Sequence, residues 1–238
     1  MPGRVWLFDL DNTLHDASHA AFGPTEAAMS EYICAHLGCS DAEATALRRA
    51  YWLRYGATLL GLVRHHGVRA AHFLSETHRL PGLEARLRTS AHDRAAIGRL
   101  AGRKYILTNA PRAYAERVLA RLRLTSSFDG VIAIEDMAMY GALRPKPDAR
   151  MLRRVAVKLK VRAVDCVLVE DTLAHQKAAR RVGMRAVWMQ RYLDGRFRGT
   201  VRAGANAGRV TRDRGVRRCH LPSYVYARIT SLKSLARL

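Results

Sequence analysis

Val5-Trp6-Leu7-Phe8-Asp9-Leu10-Asp11-Asn12-Thr13 runs from four apolar, β-prone residues directly into two aspartates and a turn. A short apolar run ended by acidic, turn-forming residues reads as a buried central strand with polar groups at its carboxyl end. Four similar runs follow: Lys104-Tyr105-Ile106-Leu107-Thr108, Gly130-Val131-Ile132-Ala133-Ile134, Cys166-Val167-Leu168-Val169-Glu170 and Arg185-Ala186-Val187-Trp188-Met189. Each adjoins a segment with helical apolar spacing. Alternating strands and helices predict an α/β chain whose parallel, doubly wound sheet is covered on both faces.

The pattern changes between Leu14 and about His92. Thr25–Leu37, Asp41–Arg54, Ala57–His66 and Ala70–Leu80 all carry helical spacing, with no strand-like run of comparable strength. Ser40-Asp41-Ala42-Glu43 opens one of these helices with a capping-box pattern, and Pro81-Gly82 closes the last with a turn. The expected organisation is a core of residues 1–16 and 90–238 with an all-helical insert at 17–89. Within the core, 195–222 reads as a basic, flexible loop: Gly195 to His220 holds eight Arg, one Asp and a Gly/Ala-rich middle. Tyr224–Ile229 then alternates as a last strand, and Ser231 caps a short final helix.

A chain of 238 residues with 49% apolar and 26% charged residues is neither disordered nor collagen-like. No apolar run reaches the roughly 18 to 20 residues of a membrane helix, and Asp9 and Asp11 interrupt the first one, so neither a span nor a signal peptide is expected. The expectation is a soluble, cytoplasmic protein. Cys34, Cys39, Cys166 and Cys219 lack zinc-site spacing and read as reduced thiols. The net charge of +21 raises a nucleic-acid hypothesis. The 35 Arg against 6 Lys are spread along the whole chain, however, as a general residue bias would leave them. Arg198 to Ser223 also contains no aromatic residue on which a base could stack. Nucleic acid is therefore not the expected partner, and the arginine-rich loop reads as solvated.

In open parallel sheets the site forms at the carboxyl ends of the strands. Those ends supply Asp9-Leu10-Asp11-Asn12-Thr13, Thr108-Asn109 and Glu170-Asp171-Thr172, and a loop before a helix supplies Arg144-Pro145-Lys146-Pro147-Asp148. Several carboxylates converging with one lysine would repel one another unless a divalent cation intervened. A hard, oxygen-rich site suits Mg2+, and magnesium implies phosphate. Asp9 and Asp11, two residues apart, would share a face of a regular strand, and the turn beginning at Asp11 would let its backbone carbonyl face the metal. One carboxylate can attack while the other moves protons.

These four segments, in this order, resemble the motifs of the haloacid dehalogenase-like (HAD) hydrolases over nearly the whole chain, and the insert resembles that family's helical cap of the first type. The resemblance implies a nucleophile at Asp9, forming an aspartyl-phosphate, and an acid–base at Asp11. It implies phosphoryl contacts from Thr108 and Asn109, charge compensation from Lys146, and a magnesium site of Asp9, Asp11 and Asp171 assisted by Glu170. Dehalogenating members lack an acid two residues after the nucleophile and transport ATPases have Thr there, so Asp11 implies a phosphatase or phosphomutase. Nothing identifies a sugar-phosphate acceptor site, which disfavours the mutase.

Three stretches look like the pyrimidine 5'-nucleotidase-type branch: Trp6 to Leu14 with Asn12, Val169-Glu170-Asp171-Thr172-Leu173-Ala174, and Tyr55-Gly56-Ala57-Thr58-Leu59-Leu60-Gly61-Leu62. That branch implies a small-molecule phosphate monoester, a nucleoside 5'-monophosphate such as UMP or CMP, as substrate. Phosphoglycolate or a sugar phosphate is the nearer rival. Tyr55 and Thr58 are the candidate cap residues facing the cleft, although Tyr55 and Trp52 at helical spacing also read as packing. Gly56 and Gly61 suit close helix packing or substrate approach equally. His65, His66 and His92 read as structural.

Overall fold

The computed structural model describes residues 3–88, 90–192 and 221–238. The basic segment expected at 195–222 lies outside them except for its last two residues. The first strand, β1 (Val5–Phe8), is followed by α1 (Ala17–Ala20), α2 (Phe22–Leu37), α3 (Asp41–Tyr55), α4 (Thr58–His66), α5 (Ala70–Thr77), α6 (Leu83–Arg86) and α7 (Ala91–Arg99). Then come β2 (Arg103–Leu107), α8 (Arg112–Leu122), β3 (Gly130–Ile132), the small hairpin β4 (Ala138–Met139) and β5 (Ala142–Leu143), and α9 (Ala149–Lys158). The chain closes through β6 (Cys166–Glu170), α10 (Leu173–Arg181), β7 (Arg185–Met189), β8 (Ala227–Ile229) and a 3-10 helix, Leu232–Arg237.

Six strands form one sheet in the order β3-β2-β1-β6-β7-β8, all neighbours parallel. The chain builds outward from β1 on one side, then returns to build outward on the other. The reversal falls between β1 and β6, and a crevice opens at the carboxyl ends of strands at such a switch point. Phe8 pairs with Val169, and Asp9 N–H donates to the Val169 carbonyl at 2.9 Å. The register thus sets the first acidic segment beside Glu170 and Asp171.

Every residue of β1 and β6 is buried, as expected of strands covered on both faces. Trp6, Phe8, Ile106, Val167 and Val169 pack on one face against Tyr114, Val118 and Leu122 of α8 and Ile97 of α7. Val5, Leu7, Leu107, Cys166 and Leu168 pack on the other against Met151, Leu152 and Val155 of α9 and Ala178 and Ala179 of α10.

Helices α2 to α5 close around their own apolar cluster of Tyr32, Ile33, Ala44, Leu59, Leu62, Phe73 and Leu74, joined by Ile134 from the sheet side. The Ser40–Glu43 capping box forms as the sequence predicts. Helix α2 begins at Phe22 rather than Thr25, because Pro24 falls in the first turn, where its missing N–H is no loss. Gly61 settles as a packing residue: a Cβ there would lie 2.1 Å from the Tyr51 ring, so only glycine lets α4 approach α3 this closely. Gly56 ends α3 in the left-handed region at φ +80°, with Pro147 the nearest neighbour to its Cβ position.

Both chain crossings between sheet and insert meet at one side chain. Arg86 Nε donates to the Ala20 carbonyl at 2.8 Å and its Nη1 to the Pro81 carbonyl at 3.1 Å. From α8, Arg117 Nε donates to Glu84 Oε1 at 2.7 Å and Arg121 Nε to the Glu84 carbonyl at 2.9 Å.

Candidate active site

Asp9, Glu170 and Lys146 are all buried at the switch point. Lys146 Nζ donates to Asp9 Oδ1 at 2.7 Å and to Glu170 Oε2 at 2.8 Å. The lysine reaches the strand ends because its backbone is clamped: Lys146 N–H donates to Asn109 Oδ1 at 2.9 Å, and Asn109 Nδ2 donates back to the Lys146 carbonyl at 3.0 Å. The Asn109 side chain, expected at phosphate, thus also fixes the lysine loop, and its Nδ2 keeps a second proton to donate. Thr108 hydroxyl oxygen accepts from Ala110 N–H at 3.0 Å, which leaves its own proton to donate elsewhere.

Carboxylate oxygens of Asp9, Glu170 and Asp171 lie within 4.8 Å of one another. One ammonium contacts two of these three acids, Asp9 and Glu170, and the titration behaviour follows. Burial first, then the Glu170 charge, pushes Asp9 up to about 7. Burial, Glu170 and Asp9 together push Asp171 up to about 9. Burial also works against Glu170, but Lys146 and His175 outweigh it and hold that carboxyl well below its ordinary range. Lys146 stays charged despite its burial because Asp9 and Glu170 face it. Two under-compensated carboxylates beside a third that is already engaged suit a hard divalent cation, and oxygen donors of this kind suit magnesium. The Asp171 backbone is held by Trp188 Nε1, which donates to its carbonyl at 2.8 Å. Glu170 is held by Thr172 N–H at 3.1 Å through Oε1 and by Gln176 Nε2 at 2.9 Å through its carbonyl.

Asp11 stands apart from that trio. Its Oδ1 accepts from Tyr114 hydroxyl at 2.7 Å and lies 3.0 Å from His15 Nε2. Burial raises this carboxyl, but the His15 and Tyr114 contacts prevail and hold it below its usual value. Burial and the Asp11 charge in turn push the Tyr114 hydroxyl far above its ordinary range, so it acts as a donor.

His15, Tyr114, Thr13 and His175 were not singled out by the sequence reading. Thr13 hydroxyl donates to Asp9 Oδ2 at 3.2 Å, and His175 Nδ1 lies 3.0 Å from Glu170 Oε2. His15 four residues after Asp11, and His175 in the first turn after Glu170-Asp171, carried a local signal. Tyr114 carried none without the fold.

The insert candidates sit differently. Tyr55 hydroxyl pairs with His65 Nε2 at 2.5 Å, and the guanidinium carbons of Arg54 and Arg64 lie 5.3 and 5.9 Å from its ring centre. Thr58 hydroxyl donates to the Arg48 carbonyl at 3.2 Å. Both contacts are internal to the insert, and within this stretch it is Gly56 that stands beside the lysine loop, at Pro147. A cavity of about 420 Å³ opens between α5 and α8, lined among others by Leu74, Ser75, His78, Tyr114, Arg117 and Glu135. A larger one, about 710 Å³, lies at the opposite end of the sheet among Arg4, Arg103, Lys104 and Asp129, remote from all the residues above.

The family model for haloacid dehalogenase-like hydrolases matches residues 4–183, and the chain belongs to that family of enzymes. Solved structures with the same fold include a HAD phosphatase from Thermococcus onnurineus, 20% identical with TM-score 0.58, covering 100% of this chain and 97% of that one. A putative HAD hydrolase from Bacillus subtilis bound to magnesium is 16% identical with TM-score 0.57, over 100% and 98% of the two chains. L-2-haloacid dehalogenase from Xanthobacter autotrophicus is 17% identical with TM-score 0.55, over 99% and 98%. Among the described residues no helix is long and apolar enough to cross a membrane.

Proposed function

We propose that the chain is a magnesium-dependent phosphatase acting on nucleoside 5'-monophosphates, with pyrimidine nucleotides such as UMP and CMP preferred. The observation that carries the phosphatase reading is the pair of aspartates: Asp9 engaged by Lys146, and Asp11 two residues on, held separately by Tyr114 and His15. A dehalogenase has no use for the second acid. The nucleotide preference rests on the likeness of the Asn12, Tyr55–Leu62 and Val169–Ala174 stretches to the pyrimidine 5'-nucleotidase-type branch.

In this reading Asp9 attacks phosphorus, an Asp9–phosphorus bond forms, and the bond to the leaving oxygen breaks as Asp11 gives that oxygen its proton. Water then attacks phosphorus, Asp11 takes the proton of the water, and Asp9 is released with inorganic phosphate. Lys146 compensates charge on Asp9 and the phosphoryl group, and Thr108 hydroxyl donates to a phosphoryl oxygen. Asp9, Asp171 and the Asp11 carbonyl, assisted by Glu170, would hold the magnesium. When bound, it neutralises the clustered carboxylates and the phosphoryl oxygens. The helical unit 17–89 serves as the cap over the strand ends and excludes bulk water.

The test is phosphate release from UMP, CMP, AMP, GMP, phosphoglycolate and sugar phosphates, with and without magnesium. Magnesium-dependent turnover favouring UMP and CMP is expected. Asp9→Asn should lower it by about 10⁴ or more, since the nucleophile itself is removed. Turnover favouring phosphoglycolate or a sugar phosphate would keep the chemistry and discard the nucleotide. No release from any of these would discard the phosphatase.

A further inference from the structure

We infer that Tyr114 and His15 are positioning residues for proton transfer: both hydrogen-bond one oxygen of Asp11, so that the other oxygen is the one that exchanges the proton with substrate. The inference rests on the phosphatase reading above and adds to it the atom that does the work.

The geometry has three parts. Tyr114, 2% exposed, donates its hydroxyl to Asp11 Oδ1 at 2.7 Å. His15, 0% exposed, brings Nε2 to 3.0 Å from the same oxygen, while its Nδ1 is buried without a partner. An unpaired buried N–H is costlier than an unpaired buried lone pair, so the ring carries a proton on Nε2, toward Oδ1. The ring is then a second donor to Oδ1. Among the described residues Asp11 Oδ2 accepts no hydrogen bond. Two donors converging on one carboxylate oxygen oppose rotation of the group, and they leave Oδ2 as the unencumbered site for a proton.

Both donors are mounted on structure that is already fixed. His15 pairs with Asp11 through a backbone bridge, and Tyr114 lies in the first turn of α8, just past the Thr108-Asn109 strand end. The His78 ring, at the C-cap of α5, meets the Tyr114 ring edge-on at a centroid distance of 5.7 Å. The phenol is therefore braced from the crossing between insert and sheet.

A proton matters to the leaving group in proportion to its basicity, which gives a readout that a purely structural role would not move. The leaving oxygen of UMP is a strongly basic alkoxide. That of p-nitrophenyl phosphate is a weakly basic phenolate that departs without a proton. Tyr114→Phe, which removes only the hydroxyl, is expected to lower kcat/KM on UMP, which reports the step that expels the leaving group, by about tenfold or more, a fraction of the 10²–10⁴ that general acid catalysis supplies. The kcat/KM for p-nitrophenyl phosphate, which excludes the later water step shared by both substrates, should fall by no more than about threefold. If UMP is not hydrolysed, the fastest alkyl monoester of the panel takes its place. His15→Gln, whose amide can still donate, should retain more alkyl phosphate turnover than His15→Leu, with circular dichroism verifying that both are folded.

Equal loss of kcat/KM on the alkyl and aryl substrates, or no loss on the alkyl one, would overturn the inference while leaving the phosphatase reading intact. A wild-type protein that releases phosphate from neither substrate would overturn both.

Discussion

The strand-end site and the helical insert solve opposite problems. At the strand ends the charged groups are tied to one another and to the backbone: Lys146 bridges Asp9 and Glu170, Asn109 clamps Lys146, and Trp188 and Gln176 hold the backbone of the acidic pair. In the insert, polar side chains pair with one another, Tyr55 with His65 and Tyr51 with His66, and its closest packing is a glycine against a tyrosine. Chemistry is built from charges fixed in a dry place, whereas the insert is built first as a small helical fold. Substitutions in the first region should act on reaction and stability together, and those at packing positions inside the second chiefly on stability.

The strongest challenge to that contrast is Lys146→Ala. It leaves Asp9 and Glu170 buried without their cation, and breaking a buried pair of this kind costs about 3–5 kcal/mol. Urea unfolding should reveal that loss, with phosphate release falling alongside it. A fully active, fully stable variant would mean that the site is more solvated than its geometry implies.

A second test uses pH. In the metal-free protein Asp9 and Asp171 have folded-state values near 7 and 9, above their ordinary 3.8, so the folded chain holds protons that the unfolded chain has released. These two carboxyls make stability fall as the pH climbs from about 5 to about 9, while His78, which burial holds below its ordinary 6.5, offsets part of the fall below that value. The opposite shift of Glu170 expresses itself only below its ordinary 4.5, and the raised value of Lys146 only above its ordinary 10.5, so neither enters that window. The thermal midpoint should decline with pH without metal, and excess magnesium should flatten the decline. A flat profile without metal would break the charge argument.

The smallest effect should come from the insert. Gly61→Ala forces a methyl group against the Tyr51 ring, and overpacking of this sort costs about 1–3 kcal/mol. Turnover of p-nitrophenyl phosphate per folded molecule should stay near wild type. A large fall in turnover at unchanged stability would show that the α3–α4 contact reaches the reaction after all.

The same contrast explains what the sequence disclosed. Strand ends were legible because a buried parallel strand announces itself by an unbroken apolar run, and acidic residues at its end have few other reasons to be there, as at Asp9 and Glu170-Asp171. Lys146 was legible from its order among those ends. Asn109 was found, but its clamp on the lysine loop was not, since nothing local says that its amide will turn to a backbone 37 residues away. Tyr114 was missed because its partner is 103 residues distant and a tyrosine in an amphipathic helix looks like packing, which it also is. For Tyr55 and Thr58, helical spacing gave their element but not the direction each side chain takes within it.

Arg86 binds the carbonyls of Ala20 and Pro81, drawing the outgoing and returning chains together at one guanidinium. The insert is therefore attached as a handle is attached to a cup, by two ends gathered at neighbouring points on the wall. Every strand end that furnishes an acid, and the loop that furnishes the lysine, belongs to the cup. A different handle could be grafted at that neck, by an engineer or by descent, and the vessel that holds the reaction would not need to be recast.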